Sequence, residues 1–326
     1  MASELKKTIA PSGGDYTTLE ACMDANEKNL VTSDEYFNVE ITGDWSSTED
    51  ETNCVIQNYT TDATRFITIY ATGTAKHDGT AYKSKAYEFK GADNTSSNFT
   101  IGAGGNYLVL KDFVVSGRGN AKQALYHATI CATSVYDSMI WHNNSNGTGT
   151  LIVNARSTLI LNNNIFFNVN RGVYSGSTST TVQCLNCTAY GAASSQFGFL
   201  RIKCVNCYSG NFDSECFYSL STGSDYCVAS DTSASDECTN YTDSQSTYAD
   251  YFESVTGGSE DFTLLNNTNT LWSLSGNSLS GTFTDDIIDT TRSAWDIGAF
   301  EFVGGEPPIV TIIKDLIYSG LIPSPR

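Results

Sequence analysis

Two cysteine pairs, Cys184-x-x-Cys187 and Cys204-x-x-Cys207, sit in the stretch TTVQCLNCTAYGAASSQFGFLRIKCVNCYSG. Four thiolates at this spacing can converge about 2.3 Å from one zinc ion. A repeating chain explains the same pattern without metal, because Asn186 and Asn206 are separated by the same 20 residues as Cys184 and Cys204. Coils stacked about 4.8 Å apart would bring Cys184 over Cys204 and Cys187 over Cys207, close enough to bridge or to stack as thiols. The four cysteines are therefore read as thiol stacks or inter-coil disulfides, with no metal and no cofactor.

The other reactive groups are sparse. Asp213 and Glu215 lie two apart, on one face of a strand, with Arg171 a coil or two away. Two carboxylates at a suitable separation hydrolyse a glycosidic bond. In a chain with 36 acids, though, such a pair is more often solvated surface. No catalytic residue is assigned, and Asp213 with Glu215 is the fallback. A column of Tyr126, Ile152, Tyr174, Phe199 and Tyr218, with Arg171 beside it, is the stronger feature. Stacked aromatics on a flat face bind sugar rings or another protein.

The elements that position these groups repeat. YLVLKDFVVSG, TSVYDSMIWHN, LILNNNIFFNV, VQCLNCTAYGA, IKCVNCYSGNF and GSDYCVASD align on a polar column of Asp112, Asp137, Asn163, Asn186, Asn206 and Asp225, at steps of 19 to 26 residues. Asn and Asp accept turn conformations that other residues resist, and their side chains satisfy turn amides. The short runs ALY, LIV, GVY, FGF and CFY between the rungs supply a second strand per coil. This is the pattern of an all-β parallel solenoid. Twenty-seven glycines, 5 prolines, 18 tyrosines and 16 phenylalanines suit many short strands and tight turns. A net charge of −18 argues against a nucleic-acid partner. The opening MASELKKTIAPSGGDY has no apolar run, so neither a secretory signal nor a membrane span is expected, although ten cysteines point to an oxidising compartment.

Four segments follow. Residues 1–45 are read as a strand and a capping helix with Leu19, Cys22, Met23 and Leu30 on one face, capped by Asp15 or Thr17. Residues 46–255 form the solenoid and residues 256–303 its closing segment. In the tail, 304–326, Ile309, Ile312, Ile313, Leu316 and Ile317 mark one face of a short helix after Pro307-Pro308, which covers the last coil or docks on another subunit.

DFTLL at 261–265, Arg292 and DIGAFE at 296–301 resemble the closing segment of a broad bacterial and phage group of right-handed parallel β-helix, pectate-lyase-like proteins. PSGGDYTTLEA, TDATRFITI and SDTSASDE add to the likeness, which touches most of residues 8–303. One departure is NTLWSLSGNS, where the group usually has a Ser-Pro-Ala-Ile-Asp-Ala-Gly-like element. The resemblance implies a right-handed β-helix with an asparagine ladder, a fold that often carries polysaccharide lyases and hydrolases. Arg201-Ile202-Lys203 resembles a polygalacturonase triplet, but the paired aspartates and glycine-flanked histidine of that family are missing around His77, His127 and His142. Nor do adjacent coils supply the clustered carboxylates and base of a calcium-dependent lyase.

The expected function is a non-enzymatic structural or surface-display component of a phage particle, a capsid decoration or host-contact protein. Its partners would be other virion proteins, copies of itself in a homo-oligomer, or cell-surface glycans, in the virion or outside the cell. An extracellular polysaccharide lyase or glycoside hydrolase is the rival, and a carbohydrate-binding adhesin the third reading.

Overall fold

The computed structural model describes residues 2–80, 85–90, 99–102, 107–117, 125–127, 133–143, 158–175, 182–191, 195–244, 251–265, 276–293 and 295–302. Its strands follow from their composition. In Ile67–Ala71 and Thr133–Asp137 every second side chain is buried, the period of a strand with one face turned inward. Their β-branched and aromatic residues pack well on that pleated surface.

Among the described residues, eight parallel strands form a first sheet: Ser3–Ile9, Glu35–Ile41, Ile67–Ala71, Tyr107–Lys111, Thr133–Asp137, Thr158–Asn162, Val182–Leu185 and Lys203–Val205. A second sheet of eight parallel strands runs from Glu88–Phe89 through Val114–Gly117, Ile140–Asn143, Ile165–Val169, Thr188–Gly191, Tyr208–Gly210 and Cys227–Ala229 to Tyr241–Thr242. Two three-stranded sheets complete the coils, one of Cys54–Ile56, Phe99–Ile101 and Leu125–His127, the other of Arg171–Tyr174, Phe197–Leu200 and Glu215–Tyr218. The chain is thus mostly β, built of long parallel sheets in which each turn of chain pairs with the next, as a β-solenoid requires.

The corner between the first and second sheets is made by one left-handed residue per coil: Asp112, Ser138, Asn163, Asn186, Asn206 and Tyr226, with φ between 51° and 69°. At two rungs this differs from the column expected from sequence. Asp137 is the last residue of its strand, opposite Lys111 and Asn162, and Asp225 bridges Val205. The alignment followed polar identity, whereas the backbone selects position. Tyr226 holds the left-handed turn despite its bulk, with its amide donating to Asp225 Oδ1 at 3.1 Å.

Two apolar clusters result. The inner one fills the coils, with Phe37, Phe113, Trp141, Phe166, Phe199 and Phe217 fully buried. The outer one lies on the far side of the second sheet, where Val114, Ile140, Ile165, Phe167, Tyr190 and Tyr208 meet Tyr251, Phe252, Phe262, Leu264, Ile287 and Phe300. Both faces of that sheet's central strands are therefore buried, and strands such as Val114–Gly117 and Thr188–Gly191 show no alternation, while Tyr241 on the last strand is exposed. The cover is an antiparallel hairpin, Phe252–Ser254 with Asp261–Leu264, followed by residues 276–302 running lengthwise across several coils.

At the N-terminal end, helix Leu19–Ala25 turns Leu19, Cys22 and Met23 into the core. Thr18 caps it, accepting from Ala21 N at 3.3 Å, in place of the expected Asp15 or Thr17, and Asp15 binds Thr8 instead. Ser3–Ile9 and Glu35–Ile41 already belong to the first sheet, so stacking begins inside residues 1–45. At the other end, helix Ser233–Glu237 and the disulfide Cys227–Cys238 lie against the last coil. No described helix is long and apolar enough to cross a membrane.

Candidate functional site

Register in the short sheet sets out two rows of side chains. Arg171, Phe197 and Glu215 form one row; Tyr174, Leu200 and Tyr218 form the other. Between them Val173, Phe199 and Phe217 point inward and are fully buried. Phe199, assigned from sequence to a binding face, is thus a core residue, stacked on Phe217 with centroids 5.6 Å apart. Its neighbour Phe197 is half-buried and stacks with Tyr218 at 5.2 Å and 28°. Gly198 separates them because a Cβ there would overlap Ser209 Oγ and Cys216 O. Tyr218 is 42% exposed. Tyr126 belongs to strand Leu125–His127, but its side chain and Ile152 lie outside the described residues. Arg171 is held in place, donating from Nε to Gln196 Oε1 at 2.7 Å and lying 5.6 Å from the Tyr174 ring centroid.

Beside Tyr218 opens a cavity of about 370 Å³, between strand Glu215–Tyr218 and helix Ser233–Glu237, lined by Glu215, Asp231, Asp236 and Glu237 among others. Burial, then the charges of Asp231, Glu237 and Asp236, push the Glu215 carboxyl above its ordinary range. Two of these acids already have structural partners. Strand Glu215–Tyr218 is a sheet edge, whose free amides would otherwise invite pairing with another chain. Asp231 Oδ2 accepts from Cys216 N at 2.8 Å, and Glu237 accepts from Ser219 N at 2.7 Å and Leu220 N at 2.6 Å. Ser233 Oγ takes the Phe217 amide at 3.0 Å. Asp213 sits exposed ahead of the strand, with its amide on Ser195 O. The fallback pair therefore divides: Glu215 lines the cavity and Asp213 does not.

The remaining sequence candidates fall elsewhere. Cys184 and Cys204 are register partners, and with Cys187 and Cys207 they are free, fully buried thiols. Cys187 Sγ donates to Leu161 O and Cys207 Sγ to Cys184 O, each at 3.3 Å. Among the described residues, no group of three or more His, Cys, Asp or Glu is arranged to hold a metal ion. The disulfide joins Cys227 to Cys238, a pair the repeat did not single out. Ile202 is fully buried between exposed Arg201 and half-buried Lys203, so that triplet is an ordinary strand entry. His142 is buried beside Glu88 at 3.3 Å and stacks on Phe167, and His77 is buried against Ser138 O. The tail residues Ile309, Ile312, Ile313, Leu316 and Ile317 lie outside the described residues.

The ladder's polar tips reach further than the turn amides expected of them. Asn163 Nδ2 donates to Asp285 O at 2.8 Å, Asn186 Nδ2 to Asp296 O at 2.7 Å, and Asn206 Nδ2 to Asn277 O at 2.8 Å. The ladder thereby fastens residues 276–302 along the coils. Arg292 is the centre of that segment: its Nη2 donates to Asn163 Oδ1 and Ala299 O, both at 2.8 Å, and its Nη1 lies 3.5 Å from Glu301 Oε2. Asp286 and Asp296 are buried nearby, and burial raises both carboxyls, Asp296 to about 6. Arg292 and DIGAFE thus form a structural knot.

The two rows on the short sheet, with the adjoining cavity, combine an exposed ring with polar groups and space. Phe197, Gln196, Asp231, Asp236 and Glu237 escaped the sequence reading; the SDTSASDE run was the available signal for three of them. The class defined is a protein of long parallel sheets with a lateral aromatic face. Compared with known protein families, curated proteins and solved structures, the chain matches none.

Proposed function

We propose that this protein is a non-enzymatic, right-handed parallel β-helix of the pectate-lyase-like kind, serving as a structural or surface-display component of a phage particle. The observation that carries the non-enzymatic part is the commitment of the acids around Glu215. Asp231 accepts from the Cys216 amide within strand Glu215–Tyr218 and Glu237 from the Ser219 and Leu220 amides just after it, a structural duty that competes with proton transfer. The phage setting rests on the resemblance of the closing segment. Other virion proteins, or copies of this chain, are the partners this reading calls for.

Mass spectrometry of purified particles tests it. A fixed ratio of this chain to a major shell or tail protein is expected, and recovery only as free protein would overturn it. One observation favours the rival hydrolase: Glu215 is a carboxyl with a raised pKa beside a cavity and an exposed ring, as a general acid would be. New reducing ends from a polysaccharide panel, abolished by Glu215→Gln, would establish that rival.

A further inference from the structure

We infer that the outer face of the short sheet, with the cavity beside Tyr218, binds an uncharged glycan. This rests on the display reading above and names what the displayed face would meet. The stacked pair Phe197–Tyr218 is the platform. Aromatic rings offer an apolar face to the C–H surface of a pyranose, and Tyr218 is exposed to receive it. Polar groups flank the rings on both sides. Arg171 and Gln196, already bonded to each other, lie on one side, and Glu215 with Asp236 on the cavity side. Adjacent strands repeat about every 4.8 Å along the coil axis, so Tyr174 and Tyr218, two strands apart with Leu200 between them, and Phe197 in the neighbouring row set out a path along that axis for a sugar chain.

Charge decides the glycan class. On the cavity side Glu215 is raised in part by Asp231, Glu237 and Asp236, four acids against the cation Arg171 across the rings, so a second array of carboxylates would be repelled there. The chain as a whole carries −18. A polyuronate is therefore the wrong ligand, while a neutral oligosaccharide brings hydroxyls that donate to Glu215 and Asp236 without adding charge.

The test is calorimetric titration of the full chain with hexamers of glucose, mannose and N-acetylglucosamine, and with a galacturonate hexamer as the charged control. Saturable binding of at least one neutral hexamer is expected, with none to galacturonate. Tyr218→Ala, at an exposed position where folding survives, is expected to weaken binding about tenfold, and Phe197→Ala likewise. Asp213→Asn, at an exposed position outside the cavity, is expected to leave affinity unchanged. No binding to any neutral hexamer, equal binding to galacturonate, or affinity unchanged in Tyr218→Ala would each overturn the inference. Its failure is separable from that of the display reading: a glycan-blind chain that still co-purifies with particles at fixed ratio loses only this site. Reducing ends released during the titration would remove the non-enzymatic reading while leaving the binding face.

Discussion

The two faces of the second sheet's central strands are both buried, but by different means. The inner face packs against other strands of the same coils, so Trp141, Phe166 and Phe199 are held by neighbours above, below and opposite. The outer face depends on the C-terminal part of the described chain, residues 251–265, 276–293 and 295–302, pinned by asparagine tips and one buried arginine. The inner core is thus cooperative with every coil, while the outer core is a local unit that can open while the coils remain. Among the described residues no segment covers the short sheet's outer face in this way, and Tyr218 is exposed.

The comparison breaks most sharply at Trp141, whose Nε1 donates to Asn164 Oδ1 at 2.7 Å inside the inner core. Trp141→Ala is expected to cost about 3–5 kcal/mol, read as a lower denaturant midpoint for the whole chain by far-ultraviolet circular dichroism. Arg292→Met leaves Asp286, Asp296 and Glu301 buried with their central cation gone. Losing one partner of a buried ion pair costs about 3–5 kcal/mol, but here the loss is expected to be local. Amide exchange should accelerate in residues 276–302 while strands such as Thr158–Asn162 keep their protection. Equal acceleration in both would show that the two cores are one cooperative unit.

Gly79 gives a smaller effect. It holds φ +95°, and a Cβ there would lie 2.7 Å from the Phe300 ring. Gly79→Ala is expected to destabilise by about 1–2 kcal/mol, with proteolysis appearing first near Phe300.

The smallest effect is a pH dependence. Burial raises Asp296 to about 6, so the folded chain binds this proton more tightly than the unfolded one. The resulting stabilisation is full below the ordinary aspartate range near 4 and is lost as pH rises through about 6. Stability of the outer unit is expected to increase on acidification from pH 7 to pH 5, and Asp296→Asn to flatten that rise in a thermal melt series.

Several features were legible in the chain before folding. The spacing of Asp112, Asn163, Asn186 and Asn206 marked four of the corners, because Asp and Asn tolerate the left-handed backbone those corners need. It could not mark Ser138 and Tyr226, which occupy the same geometry without the favoured side chain. Leu19, Cys22, Met23 and Leu30 read as one helix face; the first three are buried on helix Leu19–Ala25, while Leu30, also buried, begins a separate short helix, Leu30–Ser33. The candidate site was half visible: Arg171, Tyr174, Tyr218 and Glu215 reach one surface, while Phe199 was assigned outward and Phe197 overlooked. A β-strand's side-chain period is two, so a one-residue error in phase reverses inside and outside.

What the amino-acid order determined alone was local and periodic: parallel coils of short strands, turn residues at regular steps, and cysteines stacked because the coils stack. Only the tertiary structure decided which acids near Glu215 bind backbone amides, where residues 276–302 lie, and why the central strands of the second sheet are dry on both faces. Those outcomes join residues as far apart as Asn163 and Arg292, and such contacts leave no period in the sequence from which they could be read.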